Sequence, residues 1–126
     1  MAQSPTSKPK PKRDGEQTRR DETIASFKAH VNMSASQVEA WLKTKDSRSV
    51  GRRRSGEDEA VGHKSGRRIV EILRTRKAEY GDDDFAHMRK VVGYIKRHLK
   101  QRPSGDVADT RWRYSLMNWG HDPLKD

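Results

Sequence analysis

The stretch Asp82–Arg102 constrains this chain more than any other. Phe85, Met88, Val92, Ile95 and Leu99 recur at alternating steps of three and four, the spacing of one face of an α-helix. At roughly 100° per residue, these side chains and Val91 fill an arc about 120° wide. Arg89, Lys90, Lys96, Arg97 and Lys100 fall on a second arc, with Gly93 near its middle. One helix thus offers a core stripe and a cationic stripe. The acidic start at Asp82, Asp83 and Asp84 caps this helix, and its basic end also complements the macrodipole. Gly93 costs about 1 kcal/mol relative to alanine at a mid-helix position. Two local reasons fit it: a second helix crossing closely, which is the commoner one, or a phosphate backbone approaching the basic stripe.

A chain of 126 residues holds one domain with room for tails. Apolar residues make up 30% against 37% charged, so the core must be small and a disordered fraction is expected. The formal net charge of +10 favours a polyanionic partner, nucleic acid or an anionic membrane surface, over a neutral one. Solubility alone is the competing explanation. The absence of cysteine excludes disulfides, thiolate zinc sites and thiol catalysis. No apolar run reaches bilayer length and no signal-peptide core follows Met1. The expectation is a soluble intracellular protein without a membrane partner, cytoplasmic, or nuclear in a eukaryote.

Residues 1–20 read as a disordered basic tail, since prolines alternate with cations and nothing apolar recurs. A first helix is expected over Asp21–His30, with Ile24, Phe27 and Val31 on one face. Ser34 and Gln37 form a capping-box pattern that opens a second helix, carrying Val38, Trp41 and Leu42 and ending near Thr44. Such a pair invites comparison with helix-turn-helix readers, although any small helical bundle looks alike. Residues 45–64 have no period and read as a charged loop holding Arg52, Arg53 and Arg54. Ser65 is the expected N-cap of a third helix whose buried face is Ile69, Ile72, Leu73 and Tyr80. A nucleotide-hydrolysing phosphate loop is rejected, because His63 separates Gly62 from Lys64 and no strand precedes it. A simpler anion site at this helix start, with Lys64, Arg67 and Arg68, remains open. Gly81 is expected to end the helix in a left-handed conformation. After the stop at Pro103 and Gly105, a last helix runs from Arg111 to Trp119, with Trp112, Leu116 and Trp119 on one face and Gly120 ending it. Its tryptophans suit the core better than base stacking.

No catalytic constellation is visible. The histidines are dispersed, and His87 and His98 stand roughly 16 Å apart along one helix, too far to share a metal. Adjacent Asp82, Asp83 and Asp84 point in different directions, which suits a cap rather than an acid–base pair. No cofactor, no metal and no enzymatic activity are expected.

From Val31 onward the chain resembles a family of small proteins built on a domain of unknown function (number 3140), some members of which carry the label "DNA-binding protein". The resemblance lies in Val31-Asn32-Met33-Ser34 with Trp41-Leu42, and in Gly62-His63-Lys64-Ser65-Gly66-Arg67-Arg68-Ile69-Val70. Two further blocks are His87-Met88-Arg89-Lys90-Val91-Val92-Gly93-Tyr94-Ile95 and the run from Thr110 through Trp112, Tyr114, Leu116 and Trp119 to Pro123. The Arg52-Arg53-Arg54 run is less typical of it. The resemblance implies no catalytic residues, and its label adds to the charge argument. The expected fold is all-α, a small bundle of about four to five short helices over residues 21–123 behind the tail. The expected function is non-enzymatic binding of nucleic acid, duplex DNA foremost, with little sequence preference. Lys64, Arg67, Arg68, Arg89, Lys90, Lys96, Arg97, Lys100, Arg52, Arg53 and Arg54 would contact phosphates. The alternative is a protein-interaction or stress-related adaptor whose charge only keeps it soluble.

Overall fold

The structure is a computed structural model that describes residues 12–125. It is all-α: α1 Lys12–His30, α2 Ala35–Leu42, α3 Lys45–Ser49, α4 Val61–Leu73, α5 Asp82–Leu99 and α6 Arg111–Asn118, with a 3₁₀ turn at Lys77–Glu79. The core stripe of α5 is buried at Phe85, Met88, Val91, Val92 and Ile95. It packs lengthwise on α1, which contributes Ile24, Phe27 and Val31, and is closed by Ile69 and Ile72 of α4 and by Trp112, Leu116 and Trp119. A smaller cluster of Met33, Val38, Leu42 and Val70 joins α2 to α4. The Ser34 cap is reciprocal: its Oγ accepts from Gln37 N at 3.1 Å, and Gln37 Oε1 accepts from Ser34 N at 2.9 Å.

Four boundaries differ from the reading of the sequence. The first concerns the expected tail. Its residues 1–11 lie outside the described residues, but 12–20 belong to α1. Once Ile24 and Phe27 are pinned on α5, each upstream residue adds a hydrogen bond without a new nucleation cost. No proline interrupts between Pro11 and Pro103. Arg20 is held by Asp82 at 2.9 Å, and its guanidinium lies 5.1 Å from the Phe85 ring centroid.

The second lies in the expected loop at 45–64. Thr44 Oγ1 accepts from Ser47 N at 3.1 Å and starts the short α3. Val50 is buried, and the chain then turns back on itself. Val61 N donates to Arg52 O at 2.8 Å, Arg53 bridges to Ala60, and Gly51 and Gly56 take the positive φ values of 99° and 81° that this turn requires.

In the third, α4 starts at Val61, ahead of the expected Ser65 cap. Its glycines are contact surfaces rather than loop signals. A Cβ on Gly62 would stand 2.9 Å from Trp119 Nε1, and one on Gly66 would stand 2.7 Å from both Asn118 O and Leu42 Cδ2. Ser65 is buried, with Oγ 2.9 Å from His87 Nε2.

In the fourth, α4 ends at Leu73, and Tyr80 lies beyond the 3₁₀ turn with its ring edge-on to Phe85. Gly81 is not left-handed. With φ −103° and ψ 178° it is the extended N-cap of α5, and its N–H donates to Asp84 Oδ2 at 2.9 Å. Among the described residues no helix crosses closely at Gly93 either: the one atom within reach of a Cβ placed there is a guanidinium nitrogen of Arg97, at 3.2 Å.

Candidate nucleic-acid interface

A cleft of about 450 Å³ forms where the 51–54 segment, the start of α4, the middle of α5 and the end of α6 meet. Arg52, Arg54, Lys90 and Arg97 line it, with Tyr94, Val61 and Trp119 as its apolar part. Each cation is placed by local geometry. Lys90, Tyr94 and Arg97 follow at steps of four and three along α5 and so share one face. Arg52 and Arg54 are two apart on an extended segment and point to the same side. Arg53 between them points away, donating from Nε to Asp58 O at 2.7 Å and from Nη2 to Arg48 O at 3.3 Å. Arg53 therefore staples the turn that presents its two neighbours.

Trp119 and Tyr94 are stacked, with centroids 4.3 Å apart and planes 13° from parallel. The His87 ring lies parallel to Trp119 on a longer spacing of 6.4 Å. Trp119 is only 5% exposed, so the ring is core that forms the cleft floor, as the helical spacing predicts. Asn118 anchors that floor. Its Oδ1 accepts from Trp41 Nε1 at 2.7 Å and from Ser47 Oγ, and its Nδ2 donates to Ser47 O at 3.0 Å.

Ion pairing separates the cleft from the start of α4. No carboxylate lines it, and among the described residues Arg52, Arg54, Lys90 and Arg97 enter no ion pair. The cations at the start of α4 are paired. Lys64 lies 3.6 Å from Glu57, Arg67 lies 2.6 Å from Glu59, and Arg68 contacts Asp84 and Glu71. Lys64 and Arg68 nevertheless open onto a second hollow of about 270 Å³, together with Ser65, His87 and the carboxylate of Glu57. Arg54, Val61, Lys90 and Trp119 line both hollows, so the two are continuous. Burial first, then Arg68 and Lys90, hold His87 below the ordinary histidine range. Its neutral ring adds no charge there at neutral pH.

The basic stripe of α5 is therefore divided. Arg89 and Lys96 line a shallow hollow against α1 beside Glu22, away from the cleft, and Lys100 is exposed at the helix end. Tyr94 was legible as the residue between Lys90 and Arg97 on one helical face. Ser115 and Asn118, which also line the cleft, are brought there by tertiary contacts that no local spacing announces.

Arg67 belongs to a separate group. Its Nε and Nη2 both donate to Glu59, whose carboxylate also meets His63 Nδ1. The hydrogen bonds from Arg67, and then from His63, outweigh burial and lower the Glu59 pKa from 4.5 to about 2. The folded pKa lies below the unfolded one, so this stabilisation is present above pH 4.5 and is lost as pH falls toward 2. Because Arg67 is 58% exposed, screening reduces its worth to about 1 kcal/mol. Glu59→Gln should therefore shrink the stability difference between neutral and acid pH by about that amount in urea unfolding. An unchanged acid dependence would show that the group is not coupled to folding.

Among the described residues no three His, Asp or Glu side chains converge as metal ligands would, and no helix is long and apolar enough to cross a membrane. Comparison with curated proteins and with solved structures finds no match. A family model does match, over residues 26–117, which takes in the end of α1, all of α2 to α5 and nearly all of α6. The chain belongs to the family described as "Protein of unknown function (DUF3140)".

Proposed function

We propose that the protein binds nucleic acid, DNA foremost, without catalysing a reaction, through the cleft lined by Arg52, Arg54, Lys90 and Arg97. The observation that carries this reading is the convergence of four cations, from two separate segments, on one cleft that no carboxylate lines. Several cations elsewhere are paired with acids, as in Arg74–Glu39 at 3.1 Å and Arg113–Asp122 at 3.0 Å. That pattern on its own would suit the adaptor alternative, in which charge serves solubility. In the cleft the cations are gathered in a concavity without a counter-charge, where their fields add toward a polyanion. The reading rests on this cleft and not on the label that some family members carry.

Low sequence preference follows from the same residues. Arginine and lysine aimed at phosphates position a strand but do not read it. The one side-chain amide at the cleft, Asn118, has both ends engaged by Trp41 and Ser47 and cannot address a base edge. Labelled oligonucleotides of unrelated sequence should bind at low salt with affinities within about threefold of one another. No binding of any of them at low salt would end the proposal.

A further inference from the structure

The form of the cleft bears on which nucleic acid it takes. We infer that it admits a single strand in preference to a duplex, an inference that rests on the nucleic-acid reading above. Two rows of cations from different elements line one concavity. Lys90 and Arg97 are separated by about 10.5 Å along α5. Arg52 and Arg54 are separated by about 6.6 Å along the extended segment. A volume of about 450 Å³ is that of a small-ligand site, and these four exposed side chains line its walls. A duplex is stiff and convex and keeps its phosphates at fixed radius, so it meets the rim alone. A single strand bends, and can lower its phosphates between the two rows.

The occupant is a strand passing through rather than a free nucleotide, because the cleft is not blind. It continues past Arg54 and Lys90 into the hollow of Lys64 and Arg68, where Glu57 also lines the wall and partly offsets Lys64. Both hollows share an apolar floor of Val61 and Trp119, against which a sugar or base edge can rest. The floor does not offer a stacking platform of the usual single-strand type, since Tyr94 and His87 lie parallel to the Trp119 ring. Affinity then comes from phosphate contacts, and discrimination against duplex comes from shape.

The test uses the full chain and one labelled oligodeoxynucleotide, alone and annealed as a blunt duplex, in anisotropy titrations at the same low salt. The single strand should bind about tenfold more tightly or better. A large excess of thymidine monophosphate should fail to displace it. Equal or tighter duplex binding overturns the inference while leaving the nucleic-acid reading intact. Displacement by the mononucleotide at concentrations near the strand's own dissociation constant also overturns it, and identifies a small-ligand pocket instead. Binding of neither form overturns both.

Discussion

Trp119→Ala should destabilise the protein by about 3–5 kcal/mol, the range for truncating a buried tryptophan. The ring is 5% exposed, stacks on Tyr94 at 4.3 Å and closes the cluster of α1, α4 and α5 side chains. Gly62 keeps a bare Cα because the indole Nε1 fills the place of a side chain. Small domains have only about 5–15 kcal/mol of stability in all, and a chain with 30% apolar residues has few others to compensate. The melting temperature should fall by at least about 12 °C, followed by circular dichroism. A variant that keeps its melting temperature and loses only ligand binding would show that the ring is a binding platform and not part of the core.

How much of this was legible in the sequence depended on whether a local pattern carried it. The stripe of α5 was readable because Phe85, Met88, Val92 and Ile95 repeat with the helix itself, and all are buried. The Ser34–Gln37 box was readable because both partners lie within one turn. The first turns of α1 were hidden, since helix there propagates from packing at Ile24 and Phe27 and carries no apolar signal of its own. The 45–64 segment was hidden for a different reason. Ser47 is fixed by Asn118, 71 residues away, and Gly62 and Gly66 make room for groups of α2, α6 and the residue after it.

The site was half legible. Helical spacing singles out Lys90 and Arg97, but equally Arg89, Lys96 and Lys100, which project about 100° away around the helix. Which row faced a concavity depended on where α1 and the 51–54 segment lie. The run Arg52–Arg54 resembled a uniform patch until backbone alternation turned Arg53 to the other side.

Phosphates should meet the cleft and not the α1 side of α5. Affinity for a single strand, measured across several salt concentrations, decides between the two. Each released phosphate counterion contributes about 0.7 to the slope of log affinity against log salt. Changing Lys90 and Arg97 together to glutamine should lower that slope by about 1.4 and weaken binding about tenfold at low salt. The fold should survive, because exposed cations outside ion pairs add little to stability. Changing Lys96 and Lys100 together to glutamine should leave the slope as it is in the wild type. A lowered slope in the Lys96 and Lys100 variant, with the Lys90 and Arg97 variant binding like wild type, would place the phosphates on the α1 side instead.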